Sequence, residues 1–214
     1  MDPIAITVAA VVAGAAAAAL NPVMRAQFET QNRLSRSWLQ VPIAVVLGGL
    51  AGCAGSWAER LTFLVLAVAA SLLIVIDLSE FRLPDVIVLP LYPVLAIGLS
   101  VAAWTENRWP ALLGAAIGAV VMFVLFFAMA YFAPDLGFGD VKLAGVVGGF
   151  LGWFGLAEAV AGFFFAWVLM ALVGIAMLAL RRINIKASLP FGPYLVIGAV
   201  IGVFVGPTML PALA

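Results

Sequence analysis

The sequence predicts an all-α, polytopic membrane protein, and three observations lead to that fold class. Hydrophobic residues make up 66% of the 214 residues and charged residues 9%, whereas soluble globular domains carry about a quarter charged residues. The mean hydropathy is +1.25. Long apolar runs alternate with short polar or Pro/Gly-containing breaks. The expected environment of most of the chain is therefore the lipid bilayer.

The apolar runs predict about eight transmembrane helices, because a helix needs about twenty residues to cross the hydrocarbon core. The expected helices are roughly 3–20, 41–57, 61–77, 86–104, 110–133, 139–156, 159–180 and 190–207. These helices use most of the chain, so we expect a single integral-membrane domain, 1–214. The sixth helix is rich in glycine and is expected to pack closely against the third.

The basic residues predict how the helices are oriented. No basic segment precedes the first run, which favours an uncleaved first helix with its N-terminus outside. The segments 21–40, 78–85, 134–139 and 181–189 then face the cytoplasm. Eight of the ten basic residues lie in or beside these segments: Arg25, Arg33, Arg36, Arg82, Lys142, Arg181, Arg182 and Lys186. Arg60 and Arg108 lie outside. This distribution follows the positive-inside rule.

Aromatic residues and cysteine suggest structural roles. Trp57, Trp104, Trp109 and Trp153 fall near predicted outer helix ends, where tryptophan commonly anchors a helix at the interface. Cys53 is the only cysteine, and the chain has no histidine, so neither a disulfide nor a cysteine metal cluster is expected. The formal net charge is zero and the basic residues are scattered, which argues against a nucleic-acid partner.

Two aspartates stand at the ends of apolar runs. Asp77 closes the run that starts at Leu61, and Asp140 opens the run that follows Gly137. Charges at the edge of a bilayer are costly to desolvate and often functional. Two carboxylates that share a proton can hydrolyse a peptide, one as general base on water and the other as hydrogen-bond donor. Alternatively, each acid marks a loop boundary or pairs with Arg82 or Lys142.

Three ordered sequence blocks surround these acids. They are Asp77-Leu-Ser-Glu-Phe-Arg-Leu-Pro-Asp85, Gly137-Phe-Gly-Asp140-Val-Lys142 and Leu189-Pro-Phe-Gly-Pro-Tyr194. Over about 60–210 the chain resembles the type IV prepilin peptidase family of GxGD membrane aspartyl proteases. The GxGD motif alone is weak, but the three blocks in order are specific. The resemblance implies that Asp77 and Asp140 are the catalytic pair and that Asp85 is an accessory acid.

The residues around the acids suggest supporting roles. Gly137 and Gly139 suit a loop that re-enters the membrane and must pass close to the substrate backbone. Lys142 can lower the pKa of an aspartate, bind a carbonyl, or simply anchor the cytoplasmic boundary. Asp85 follows Pro84 and is expected to cap a helix N-terminus or to order the loop.

The third block is rich in proline. Pro190 and Pro193 restrict the backbone around Gly192, so the last helix is expected to begin with a rigid entry. In the resembling family this block lies beside the active site. An ordinary proline helix start is the alternative.

The resemblance has one departure. Many bacterial members have paired cysteines, associated with zinc and N-methylation, in a loop after the first helix. Here that place is taken by Gln27–Gln40, which has neither cysteine nor histidine. A cysteine zinc site cannot form there, so the chain looks like a short form that cleaves without methylating.

The expected protein is therefore an aspartyl endopeptidase of the bacterial cytoplasmic membrane that needs no cofactor. Its substrate would be a membrane-anchored pilin or pseudopilin precursor, cut at the cytoplasmic face. Alternatives are a proton- or cation-coupled transporter and a catalytically inactive assembly factor. A signal-peptide-peptidase-like enzyme is less favoured, since Ile76 replaces the tyrosine usual before the first aspartate.

Overall fold

The computed structural model describes residues 2–29, 33–132, 137–182 and 189–213. Every regular element in these ranges is a helix, which confirms the all-α fold class. The helices are α1 (Pro3–Ala19), α2 (Asn21–Arg25), α3 (Gln40–Ala51), α4 (Trp57–Glu80), α5 (Asp85–Val88), α6 (Leu91–Glu106), α7 (Trp109–Phe132), α8 (Phe138–Phe154), α9 (Leu156–Ala179) and α10 (Gly192–Met209). The chain divides into two compact units, Met1–Trp109 and Pro110–Ala214.

Five segments in the described ranges are long and apolar enough to cross a bilayer. They are α4, the segment Asp85–Glu106 that contains α5 and α6, α7, α9 and α10. α1 and α3 are apolar but shorter. A polytopic membrane protein is confirmed, and five of the eight predicted helices meet the requirement for a crossing. The predicted helix end at 133 and the predicted cytoplasmic residue Lys186 lie outside the described residues.

The predicted helix at 41–57 is wrong at its C-terminal end. α3 stops at Ala51, and α4 begins at Trp57 after a turn. The cause is a capping box, in which the Glu59 N–H donates to the Ser56 hydroxyl at 3.2 Å and the Ser56 N–H donates to the Glu59 carboxylate at 3.1 Å. This pairing satisfies two N–H groups of the new helix and fixes its start at Trp57.

α4 is the central helix of the first unit and packs against α1, α3 and α6. α1 and α3 also pack on each other through small residues. A methyl group added at Gly48 would overlap Ala13, and one at Gly52 would lie 2.7 Å from the Ile6 Cα. Small residues therefore set the close spacing of these two helices.

The predicted helix at 86–104 is interrupted. α5 ends at Val88, Leu89 and Pro90 form the junction, and α6 begins at Leu91. Proline has no N–H to donate to the preceding turn, and its ring crowds the carbonyl four residues earlier. Pro90 therefore separates the short α5 from α6.

In the second unit, glycines bring α7 and α8 into backbone contact. A methyl group at Gly118 or Gly148 would overlap the carbonyl oxygen of the other residue, and Gly114 and Gly152 meet in the same way. Gly148 and Gly152 thus pack against α7, and the predicted packing of this helix against 61–77 stays a prediction. Trp153 is 1% exposed, so its predicted anchoring role is wrong, and it belongs to the packed interior.

α9 and α10 form the other close pair of the second unit. A methyl group at Gly198 would lie 2.6 Å from the Ala166 nitrogen, and one at Gly202 would lie 2.5 Å from the Gly162 Cα. The glycines of α10 thus allow the backbones of α9 and α10 to pack in direct contact.

Candidate active site

Asp77 lies in the last turn of α4 and is 3% exposed. The residues before it on α4 belong to an apolar cluster, here called the Met24 cluster. Its buried members are Met24, Leu72, Val75 and Ile76, with Phe28, Ile43 and Ile87 packed against them. Since Val75 and Ile76 are fully buried, packing fixes the position of the helix end that carries Asp77.

The end of α4 is formed by a residue in the left-handed conformation. Phe81 has φ 53° and ψ 37°, and its N–H donates to the Asp77 carbonyl at 2.9 Å. A side chain in this conformation costs about 1–2 kcal/mol, because Cβ approaches the following carbonyl. Phe81 thus turns the chain sharply away from the helix one turn after Asp77. The sequence gives no signal for this, because glycine is the usual residue at such a position.

Arg82 follows Phe81 and contacts the segment after α2. Its guanidinium donates to the Glu29 carboxylate at 2.6 Å and to the Gln27 carbonyl at 2.7 Å. In the sequence Arg82 is a possible partner of a boundary aspartate, but in the structure its ion pair is with Glu29. Sequence reasoning missed this contact, which joins residues 53 positions apart.

Asp85 is the first residue of α5, and the N-cap position belongs to Pro84. Asp85 therefore does not occupy the N-cap position, and its alternative role of ordering the loop stays a prediction. Pro84 adopts an extended backbone with φ −69° and ψ 132°, which is the usual N-cap conformation. Asp85 instead places a carboxylate in the first turn, where the positive end of the helix dipole favours it.

Asp140 lies in the first turn of α8, and Gly137 is the N-cap residue. The Asp140 N–H donates to the Gly137 carbonyl at 3.0 Å. A Cβ at position 137 would lie 3.3 Å from the Asp140 Oδ2 atom. Gly137 therefore leaves space directly beside the carboxylate.

The predicted helix start at 139 is one residue late, and Gly139, expected in a loop, lies inside the helix. Phe138, Gly139 and Asp140 already belong to α8, so the motif forms a helix start. An acid in the first turn of a helix interacts well with the unpaired N–H groups there, which explains why the helix forms despite two glycines. Residues 134–136, in the predicted cytoplasmic segment before it, lie outside the described residues.

Lys142 extends its side chain along α8 toward the helix start. Its Nζ atom lies 5.2 Å from the centre of the Phe138 ring, and the Phe138 ring packs edge-on against Phe127 at 6.0 Å. A cation over an aromatic ring is attracted by the ring quadrupole. The sequence did not suggest this contact. Through it, Lys142 packs on Phe138, the second residue of the GxGD motif.

The third block packs the start of α10 against aromatic side chains. Phe191 is 2% exposed, and its ring centre lies 5.6 Å from Phe126 and 5.1 Å from Trp167. The helix begins at Gly192, two residues later than predicted, with Phe191 at the N-cap and Pro193 in the first turn. Pro190 is buried and stays outside the helix. Proline at an early helical position is favourable because its missing N–H has no helical partner there anyway.

The structure thus places the three blocks at three helix ends. Asp77 and Asp85 belong to the first unit, and Asp140, Lys142 and the Pro190–Pro193 block belong to the second. The pairing of Asp77 with Asp140 stays a prediction. In the described ranges, no group of three or more His, Cys, Asp or Glu residues is arranged to hold a metal ion.

Comparison with known proteins identifies a family that matches this chain. Residues 64–178 match the model of the "Type IV leader peptidase family". The chain is similar to the "Prepilin leader peptidase/N-methyltransferase" of Pseudomonas putida, with 34% identity over 157 residues, which is 71% of this chain and 52% of the relative. The Burkholderia pseudomallei (strain 1026b) protein of that name is 32% identical over 137 residues, 61% of this chain and 42% of the relative.

A third relative of that name, from Pectobacterium carotovorum subsp. carotovorum, is 31% identical over 176 residues, or 77% of this chain and 60% of the relative. The matched part of the chain thus spans about half the length of these relatives. No solved structure matches the chain.

Proposed function

This chain belongs to the type IV leader peptidase family, and we propose that it is an aspartyl endopeptidase with Asp77 and Asp140 as its catalytic pair. One observation carries the proposal: the family match, 64–178, includes both acids, and each lies in the terminal turn of a helix. The substrates we propose are type IV pilin-like precursors, because the curated relatives are named prepilin leader peptidases.

The proposed chemistry needs only the two carboxyl groups and a water molecule. One carboxylate accepts a proton from the water, whose oxygen attacks the peptide carbonyl. The other carboxyl, still protonated, donates a hydrogen bond to the carbonyl oxygen, where negative charge develops. The amine then leaves with a proton from the carboxyl pair. Two acids in proximity do not ionise together easily, which keeps one of them protonated.

We propose that cleavage takes place at the cytoplasmic face of the bacterial inner membrane. The distribution of basic residues supports this orientation, since eight of ten lie in or beside the segments assigned to the inside. With that orientation, the end of α4 and the start of α8 both face the cytoplasm. A precursor with a membrane-embedded helix and a cytoplasmic leader would present its cleavage site at the same depth.

We further propose that the mature N-terminus is left unmethylated. The internal segment 21–40 contains no cysteine and no histidine, so it lacks the ligands from which structural zinc sites are commonly built. It is also short compared with what is needed to enclose a methyl donor, whose pocket would occupy about 300 Å³ or more.

The test is co-expression with a pilin precursor that keeps its leader and membrane helix. Wild-type protein should shorten the precursor to the mature mass, and Asp77→Asn and Asp140→Asn should each leave it uncut while inserting into the membrane normally. An amide cannot accept the proton from water, so either substitution removes half of the mechanism. Full processing by either variant would refute the catalytic pair, and an uncut precursor with wild-type protein would refute the substrate.

A further inference from the structure

The segment Phe81–Pro84 connects the end of α4, which carries Asp77, to Asp85. Three of its residues attach it to the rest of the first unit. The Phe81 N–H donates a hydrogen bond to the Asp77 carbonyl. Leu83 is 6% exposed and anchors the middle of the segment by burial. Between them, Arg82 reaches across to the segment that follows α2.

The partners of Arg82 are themselves attached to the helix that carries Asp77. Glu29 and Gln27 flank Phe28, which packs against the Met24 cluster together with Ile87 of α5. That cluster ends at Ile76, one residue before Asp77. A closed ring of contacts therefore runs from Asp77 through Phe81 and Arg82 to the segment after α2, and back through Phe28 to α4.

The contacts of Arg82 are better suited to fixing the turn after Asp77 than to raising the folding stability of the protein. One guanidinium nitrogen bonds a carboxylate and the other a backbone carbonyl, so the planar group is fixed in two directions. The Arg82 and Glu29 side chains are 44% and 73% exposed, and exposed ion pairs contribute little to folding stability. A contact of small value to stability can still fix the turn that follows an essential carboxylate.

We propose that Arg82 is a positioning residue, which holds the Asp77 end of α4 in the orientation required for cleavage through Glu29 and the Gln27 carbonyl. This inference rests on the proposed peptidase function. It assigns a role to the short segment 26–29, which neither the ordered sequence blocks nor the family match includes. Arg82 acts through the backbone of Phe81 and Asp77, without contact to the substrate.

The test compares Arg82→Ala with Arg60→Ala, using purified protein and a pilin precursor. Arg60 lies at the other end of α4 and also donates to a carbonyl, that of Ala54 at 2.9 Å, so it controls for the loss of one arginine. Arg82→Ala should lower kcat about ten- to a hundredfold per folded enzyme, the range expected when a catalytic group is displaced by about 1 Å. KM should change much less, and Arg60→Ala should leave kcat unchanged.

Three further variants separate positioning from loss of folding. Arg82→Lys keeps the charge but cannot serve both acceptors, so its kcat should lie between wild type and Arg82→Ala. Glu29→Gln should have a smaller effect, because the Gln27 contact remains. The exchange Arg82→Glu with Glu29→Arg should recover part of the activity lost in Arg82→Ala, and a purely structural arginine gives no such recovery in kcat.

The outcomes are distinguishable. Wild-type kcat in folded Arg82→Ala, or an exchange variant no more active than Arg82→Ala, would overturn the positioning role. If Arg82→Ala does not fold, the positioning role is tested with Arg82→Lys and Glu29→Gln. Wild-type kcat in both of these variants would overturn the positioning role. Failure of the proposed function would appear as an uncut precursor with the wild-type chain.

Discussion

Helix α4 carries a buried acid at each end, and the two acids are held in different ways. Glu59 in the first turn is 4% exposed, and Asp77 in the last turn is 3% exposed. Glu59 accepts hydrogen bonds from the Gly55 and Ser56 N–H groups and from Arg108, whose guanidinium lies 2.5 Å away. Its position is accounted for by capping and by an ion pair.

The position of Asp77 is not favoured in the same way. An acid in the first turn interacts well with the positive end of the helix dipole, whereas an acid in the last turn meets the negative end. Glu59 therefore strengthens α4, and Asp77 works against it. Asp77 also lies within the family match at 64–178, and Glu59 precedes it. Burial alone therefore does not mark a catalytic acid on α4, because both acids are buried. The family match together with the unfavourable position at the helix end singles out Asp77 as the candidate.

The largest expected effects separate activity from stability at the two ends of α4. Asp77→Asn should lower cleavage about 10²- to 10⁴-fold, the usual contribution of a general acid or base, without lowering thermal stability. Glu59→Gln should keep kcat but lower the free energy of unfolding by about 1.5–3 kcal/mol, the value of a hydrogen bond to a charged group. The measurements are kcat on a pilin precursor and thermal unfolding in detergent. Equal loss of activity in both variants would show that the two buried acids do not differ in function.

A smaller effect is expected from two glycines that lie beside carboxylates. A Cβ at Gly137 would lie 3.3 Å from the Asp140 carboxylate, and one at Gly55 would lie 3.4 Å from that of Glu59. Gly137→Ala should displace the Asp140 side chain by a few tenths of an ångström and lower kcat about tenfold. Gly55→Ala, the matched control, should leave kcat unchanged. A normal kcat in Gly137→Ala would show that the Asp140 carboxylate adapts without loss of function.

How much the sequence predicts depends on whether the signal is local. The apolar runs correctly predict helices, because length and hydropathy report on the solvent of each segment. The Ser56–Glu59 capping box and the Pro90 break are also local signals. They would have corrected the predicted helix end at 57 and divided the predicted helix 86–104 at Pro90.

Other features depend on contacts that no local pattern encodes. Trp153 matches the pattern of an interface anchor, yet tertiary packing buries it. The contact of Arg82 with Glu29 joins residues 53 positions apart, and Phe81 takes a conformation that its residue type disfavours. The GxGD motif itself is recognisable, but its start of a helix follows from Asp140 interacting with the first turn and not from its two glycines.

A weaker effect is expected at Asp85, the third acid of the first unit's block. Its place in the first turn of α5 gives it a favourable interaction of about 0.3–1 kcal/mol with the helix dipole. Asp85→Asn should therefore reduce kcat less than about fivefold. Cleavage assays with Asp77→Asn as the reference will measure this. A loss as complete as that of Asp77→Asn would make Asp85 the catalytic acid and remove the contrast between the two ends of α4.

The smallest effect, none within error, is expected from a zinc chelator. The chain has no histidine and a single cysteine, and the proposed hydrolysis uses two carboxyl groups and water, so chelation should change neither kcat nor thermal stability. The same reaction, supplied with S-adenosylmethionine, should give a product at the mass of the unmethylated mature chain. Inhibition by the chelator would indicate that one of the acids binds a metal ion and does not act as a proton acceptor. A product heavier by one methyl group, formed only with this protein, would place a methyl-transfer site in a chain whose segment 21–40 lacks the expected ligands.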